Sequence, residues 1–425
     1  MIKILDSNKV GIEEILERKL SDVSKYEKTV SEIIENVKAN GDKALYEYAK
    51  KFDGVELESL VVSDKEWEDG ISKVEKSFMK VLKEASLNIE KYHEKQIKTG
   101  YALKKENGVV LGQIVQALEK VGIYVPGGSA AYPSTVLMNA IPAKLAGVEK
   151  IIMVTPPRKD GTILPEILAA AKLAGVYKIV KIGGAGAVAA LAYGTESVEK
   201  VDKIVGPGNI FVALAKKQVF GQVAIDMIAG PSEILVIADD SANAAFVAAD
   251  LLSQAEHDVL ASSILLTPSS KLSKAVSDEI NAQLKKLSRE EIATKSIKDN
   301  GKIIIVKDLD EAFDISNQIA PEHLELAIEK PFQYLDKVKN AGSIFLGHYT
   351  PEPLGDYFAG TNHTLPTSGT ARFSSPLSVD DFIKKSSYLY YTKEALEKDA
   401  ESVISFAKKE GFEAHANSIK VRLDD

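Results

Sequence analysis

Short β-branched apolar runs alternate with Ala-rich amphipathic stretches over most of the chain. Val121–Pro126, IIMVTP at 151–156, YKIVKI at 177–182 and KIVG at 203–206 are apolar at nearly every position and polar only at their ends. That pattern predicts parallel strands covered on both faces, with helices near 164–175 and 187–193 between them. After Gly230 a second series follows: EILVIAD at 233–239, a helix near 242–257, SSILLT at 262–267, a helix near 271–286, GKIIIVKD at 301–308, a helix near 309–319, HLELAI at 323–328 and GSIFLG at 342–347. The fold class expected is α/β, with two Rossmann-like, incomplete, doubly wound units.

The flanks read differently. Residues 1–22 read as a helical N-terminal arm, and 28–99 as charged helices with apolar spacing near 3.6, as in Val30, Ile33, Ile34 and Val37. Residues 348–378 are rich in Gly, Pro, Ser and Thr with little periodicity, and loops this long are usually functional or disordered. The embedded Asp356, Tyr357, His363 and Arg372 favour function. From 379 onward the tail reads as helical, with a run at 393–410 and a last piece around His415. The expected domains are an arm (1–22), a first α/β domain (23–123 with 234–378), a second (124–233) and a C-terminal tail (379–425).

Composition narrows the chemistry. With 425 residues, 45% of them hydrophobic, the chain can bury a large core, and no run of about 18 apolar residues predicts a membrane span. The N-terminus turns charged too soon for a signal peptide, so the expected location is cytoplasmic. The net charge of -8 comes without a basic stripe, which points to small molecules and away from nucleic acid. There is no cysteine, so disulfides, thiolate metal sites and thioester chemistry are excluded.

Six histidines occur, at 93, 257, 323, 348, 363 and 415. His93, in KYHEKQIK, reads as a solvated surface residue. Gln254 and His257 stand three apart at the end of one helix, so both project from one face; that suits a metal, and equally a polar helix end with the histidine near the negative end of the dipole. Glu322 and His323 follow Pro321 at the mouth of a strand. A carboxylate beside an imidazole offers two proton acceptors of different basicity, and an ordinary loop-to-strand junction is the alternative. GGAGAVA at 183–189 formally contains a dinucleotide fingerprint, Gly184-x-Gly186-x-x-Ala189, with Asp202 roughly where a ribose carboxylate would lie, although small residues in Ala-rich helices also serve packing. GPGN at 206–209 and GPSE at 230–233 force tight turns that present Asn209 and Ser232 at a sheet edge.

Taken in order, VGIYVPGG at 121–128, KIVGPGN at 203–209, AGPSE at 229–233, LLSQAEHD at 251–258, APEHLEL at 320–326, LGDYFAGTNHTLPT at 354–367, TARFSS at 370–375 and EGFEAHANS at 410–418 resemble the histidinol dehydrogenase family over nearly the whole chain. The resemblance implies a four-electron, two-NAD oxidation of L-histidinol through L-histidinaldehyde to L-histidine, closing histidine biosynthesis. It implies one Zn2+ per subunit on Gln254, His257, Asp356 and His415, an all N/O set that suits a chain without thiols. His323 would take the alcohol proton and Glu322 would activate water for attack on the aldehyde. Substrate contacts would include Ser232, Glu410 and His363 besides the metal ligands and His323. Cofactor contacts fall on Tyr124, Gly186 and Asn209; the family's familiar member has glutamine at the second, a departure that either weakens NAD binding or shifts the contact to backbone. A homodimer with intertwined tails would place Glu410 and His415 in the partner's site. A zinc hydrolase with Glu322 as base, and a catalytically silent metal- or nucleotide-binding protein, are the competing classes.

Overall fold

The computed structural model describes residues 2–16, 24–127 and 132–423. Six strands, all parallel, form the larger sheet in the order Lys3–Asp6, Lys302–Ile305, Ser262–Thr267, Glu233–Ala238, His323–Ala327, Ser343–Leu346. Five more, again parallel, form a second sheet in the order Lys178–Lys181, Lys150–Thr155, Lys120–Tyr124, Lys203–Val205, Ala224–Ile225. In each, the first strand after its predecessor sheet segment sits centrally and the winding reverses beside it: between Glu233–Ala238 and His323–Ala327 in one, and between Lys120–Tyr124 and Lys203–Val205 in the other. This is the doubly wound topology the apolar runs predict.

The strands are apolar throughout because both faces are covered. Ile234, Val236 and Ala238 point to helices Ala244–Ala255, Ser270–Leu284 and Glu290–Asn300, while Leu235 and Ile237 point to helix Leu309–Ile319. Each such fully buried aliphatic side chain contributes roughly 1.5–3 kcal/mol over exposure. In the second sheet Ile152 and Val154 face one layer and Ile151 and Met153 the other.

Several expectations are corrected. The arm contains a strand, Lys3–Asp6, on the edge of the larger sheet, before helix Ile12–Leu16; residues 17–22 lie outside those described, as does Gly128 of the VGIYVPGG segment. The helices at Ser24–Tyr48, Asp64–Ile71 and Lys76–His93, grouped by sequence with 234–378, instead cover the five-stranded sheet: Val30, Ile34 and Val37 share a core with Val180 and Ile182. Chain order does not choose which open sheet face an amphipathic stripe finds. Within 348–378 a short helix forms at Glu352–Tyr357. The tail is not helical from its start, because Ile383–Tyr390 is a strand pairing antiparallel with Val110–Ala117, which also pairs with Tyr101–Lys104.

The chain divides into two units, Met1–Gln96 with Leu118–Phe382, and Ile97–Ala117 with Ile383–Asp425. The second comprises the antiparallel sheet and helices Lys393–Lys409 and Glu413–Lys420. Among the described residues no helix is long and apolar enough to cross a membrane.

Candidate active site

Parallel α/β sheets usually bind ligands beyond the carboxyl ends of their strands. The larger sheet gathers its chemistry at the amino ends instead. Ala320, at a φ of 52°, stops helix Leu309–Ile319, and Pro321 leads straight into Glu322 and the strand starting at His323. Both side chains are buried, and both use the neighbouring central strand: the Glu233 N–H donates to Glu322 Oε2 (2.9 Å), and His323 Nδ1 lies 3.0 Å from the Glu233 carbonyl oxygen. A carbonyl can only accept, so Nδ1 carries a hydrogen, and Nε2 is the ring nitrogen that gains or loses the second proton. Ser232 directly precedes this residue.

Two return elements bring the rest. Helix Ala244–Ala255 runs back to the amino edge and ends at Gln254, which is buried, with His257 exposed just beyond. Helix Glu352–Tyr357 is anchored by its Glu352 N–H donating to Glu325 Oε1 (2.8 Å) and carries Glu352 and Asp356 one turn apart. Ser253 donates to Glu352 Oε2 (3.1 Å). His323 Nε2 then stands 3.9 Å from Glu352 Oε1 and 3.8 Å from Asp356 Oδ1, ion-pair distances too long for hydrogen bonds. His363 Nδ1 approaches Asp356 Oδ2 at 4.0 Å, and His257 senses the charges of Asp356 and His323.

Burial pushes Glu322 up to about 8 and Glu352 up to about 7. Burial alone would lower the His323 imidazole, but Glu322, Asp356 and Glu352 outweigh it and lift the ring to about 10. Asp356 is held below the usual carboxylate range: burial opposes this, and the histidines around it prevail. Within this cluster Gln254 Oε1, His323 Nε2 and His363 Nε2 are buried without a hydrogen-bond partner among the described residues. Orphaned buried polar atoms cost free energy, so their concentration here marks a site built for something else to fill. Gln254, His257 and Asp356 supply the oxygen and nitrogen donors that Zn2+ accepts. His323, Glu352 and Asp356 also form a trio whose ligand atoms lie within 4.8 Å of one another.

Glu352 escapes a sequence reading because its segment looks like loop; the i, i+4 spacing with Asp356 is the signal that could have found it. His93 is corrected. It is buried, with Nδ1 2.7 Å from Gln96 Oε1 and Nε2 3.4 Å from the Asn362 amide nitrogen, and so braces the segment carrying His363. Leu82, Ala85, Ile89 and His93 form one buried helical stripe, visible in the sequence once His93 is counted with the apolar positions. Glu410 and His415 belong to the second unit, where both are exposed and His415 rests on Phe412.

Behind this cluster, half-buried Asp250 and buried Glu325 form a carboxyl pair. Burial lifts Asp250 to about 6 and raises Glu325 well above its ordinary value, the neighbouring Asp250 adding to the second shift. The protonated pair therefore stabilises the fold at low pH, and that stability is lost as pH rises through about 6 and beyond. Glu325→Gln keeps an acceptor for the Glu352 N–H and a donor for Asp250 without the charge. Its melting temperature should fall less than that of the unmodified chain between pH 5 and 9, by a difference worth about 1–2 kcal/mol. Parallel pH curves for the two chains, by calorimetry, would refute the shared proton.

The cofactor candidates lie at the carboxyl ends of the five-stranded sheet, around a cavity of about 1020 Å³ lined by Tyr124, Gly186 and Asn209 among others. The Tyr124 hydroxyl accepts from the Gly184 N–H (3.1 Å), leaving its own hydrogen to donate. Asn209 caps helix Ile210–Val219, its Oδ1 accepting from Phe211 N–H (3.1 Å) and Val212 N–H (3.3 Å), so its amide nitrogen remains for a ligand. Gly206 has a φ of 112°, and a Cβ there would lie 2.2 Å from the Tyr124 carbonyl oxygen, so only glycine lets this turn close against the central strand. The turn is clamped by a buried ion pair, Lys216 with Asp226: Lys216 Nζ donates to the Gly206 carbonyl (2.9 Å) and Asp226 Oδ2 accepts from the Gly206 N–H (2.7 Å). Asp202 is corrected as a ribose carboxylate. It precedes its strand and accepts from the Glu119 and Lys120 N–H groups at the opposite, amino end, while GGAGAVA follows the third strand of the winding rather than the first.

A family model described as histidinol dehydrogenase matches residues 16–423. Similar proteins include histidinol dehydrogenase of Clostridium acetobutylicum, 63% identical over 93% of this chain and 92% of that protein, and that of Listeria monocytogenes, 57% identical over 94% and 93%. A crystal structure of histidinol dehydrogenase from Elizabethkingia anophelis superposes with a TM-score of 0.95 at 40% identity, covering 100% of this chain and 98% of that one. With the Glu322–His323 pair, the orphaned polar atoms and the sheet-end cavity already in place, these matches establish that the chain belongs to the histidinol dehydrogenase family.

Proposed function

We propose that the chain oxidises L-histidinol to L-histidine with two NAD and Zn2+, using His323 and Glu322 as successive bases. The observation that carries this is their joint anchoring on Glu233, which turns His323 Nε2 toward Asp356 while holding Glu322 as a second, near-neutral proton acceptor. A cation held by Gln254, His257 and Asp356 would fix the substrate's imidazole and amine and offset one of the charges that keep a proton on His323. NAD in the sheet-end cavity would serve as the hydride acceptor, twice in succession.

The residues divide the remaining work. His323 Nε2 takes the proton of the alcohol, its ring orientation set by the Glu233 carbonyl. Glu322 takes a proton from the water that adds to the aldehyde, the step that a chain without cysteine must perform by general-base catalysis. His363, buried against Asp356, lies beside the reacting end, and Ser232 offers a hydroxyl next to the base pair. Glu410 and His415 would complete the site from the partner subunit of a homodimer, His415 as the fourth protein ligand.

The purified chain supplied with L-histidinol and NAD should form two NADH per L-histidine, lose that activity to a strong chelator and regain it with Zn2+. A zinc-loaded protein that makes no NADH, or one that hydrolyses its substrate without NAD, would remove the reading.

A further inference from the structure

The cavity at the end of the five-stranded sheet contains a carboxylate with nothing to bind. Asp53 lines it, is half-buried, and has no hydrogen-bond or ion-pair partner among the described residues. Burial raises its carboxyl to about 6, and its charge is felt by Tyr124 across the cavity. The other acidic residue on the lining, Asp160, is already satisfied: it accepts from the Thr162 N–H (3.0 Å) and hydroxyl (2.7 Å) and faces Arg158 at 3.6 Å. The second strand of the winding ends in Thr155-Pro156-Pro157, so the position from which a Rossmann site usually offers its ribose carboxylate holds none.

Asp53 arrives from outside the sheet. Helix Ser24–Tyr48 runs into a π-helical turn, Ala49–Asp53, closed by Gly54 at a φ of 72°. Such turns are rare and concentrate at functional sites, because the extra residue per turn re-aims side chains. The turn and the residue before it bring Tyr48, Phe52 and Asp53 to the cavity lining together, beside Ala49. The two rings stack with centroids 5.5 Å apart and planes 21° apart, and Phe52 is 58% exposed, with only the exposed Lys51 ammonium over it. Tyr48 is fixed by the Asn36 amide donating to its hydroxyl (2.8 Å). It also packs against Gly186, where an added Cβ would meet its ring at 3.3 Å.

We propose that this turn is a nucleoside-recognition element: Asp53 accepts hydrogen bonds from a ribose diol of the dinucleotide, and the Tyr48–Phe52 stack forms the wall against which the attached base lies. A vicinal diol donates two hydrogen bonds, a carboxylate accepts two, and an aromatic face takes a base without regard to its sequence of donors. The proposal rests on the reading that the cavity binds NAD.

Calorimetric titration of the whole chain with NAD, AMP and nicotinamide mononucleotide tests it. Asp53→Asn should weaken NAD about tenfold, the loss of one charged acceptor, with Asp53→Glu recovering part, and Phe52→Ala should weaken it several-fold. The KM for NAD should rise with that for L-histidinol unmoved, a split that general unfolding would not produce. Weaker AMP binding in Asp53→Asn identifies the adenosine ribose, and NADP should then be rejected less strongly than by the unmodified chain; weaker mononucleotide binding identifies the nicotinamide ribose. Normal affinity of Asp53→Asn and Phe52→Ala for all three ligands overturns the proposal while the cavity reading stands. Failure of the unmodified chain to bind any of them overturns both.

Discussion

A Glu322→Gln chain should carry L-histidinol to the aldehyde and stall there. The first NADH forms near its normal rate, while oxidation of supplied L-histidinaldehyde slows by roughly 10²–10⁴-fold, the usual worth of a positioned general base. The substitution is close to isosteric, and the amide oxygen can still accept from the Glu233 N–H, so what disappears is the ability to take a proton from water. His323→Asn should show the opposite bias, slowing the first oxidation more than the second. Single-turnover NADH formation from each substrate separates the half-reactions. Equal losses in both for Glu322→Gln would end the division of labour between the two bases.

Acidity supplies an independent check. Burial holds Glu322 near 8, so its base form accumulates only as pH rises through that value, and aldehyde oxidation by the unmodified chain should climb between about pH 7 and 9. The rise should vanish in Glu322→Gln. The same raised pKa makes the protonated carboxyl the form that favours folding, and this contribution is lost as pH climbs through about 8. Glu322→Gln should therefore be the more stable protein at pH 9, which excludes unfolding as the cause of its inactivity. A carboxyl with this pKa costs stability in the pH range where its base form accumulates.

How much of this was legible in the amino acids depends on what each residue does locally. Strands such as Glu233–Ala238 and Lys150–Thr155 are apolar on both faces and announce themselves. Tyr101–Lys104, Lys3–Asp6 and Ile383–Tyr390 are largely exposed edge strands with mixed composition, so their pairing is set by partners distant in sequence. Gln254 and His257 were visible as a pair on one helix face, but nothing local brings them to the same edge as Asp356. That requires two helices to run back antiparallel to their strands. Glu352 and Asp53 escape the sequence reading for a shared reason: each sits in a short distorted or loop-like helical turn, in PEPLGDY and KKFDG, with no regular periodicity to single the carboxylate out. Asp202 shows the reverse error, since a fingerprint spacing was satisfied on the wrong strand and at the wrong end of the sheet.

The largest expected loss of stability lies away from the bases, at Lys216. Its side chain is 1% exposed and that of Asp226 is 2%, so each charge is sustained almost wholly by the other and by Gly206. Lys216→Met leaves the Asp226 carboxylate buried with only the Gly206 and Met227 N–H groups to solvate it, and should cost about 3–5 kcal/mol in urea unfolding. Asp226→Asn strands the ammonium and should cost a similar amount. The double variant removes both charges while an amide oxygen still meets the backbone donors, so it should recover on the order of 2 kcal/mol relative to the sum of the singles. The loss should reach function through geometry, because the clamped turn is the one that holds Gly206 against Tyr124 and sets Asn209 at the head of its helix. NAD affinity of the folded Lys216→Met chain should then fall while affinity for L-histidinol persists. Strict additivity in the cycle, or single losses below about 1 kcal/mol, would mean that the ion pair neither stabilises the turn nor shapes the cavity it borders.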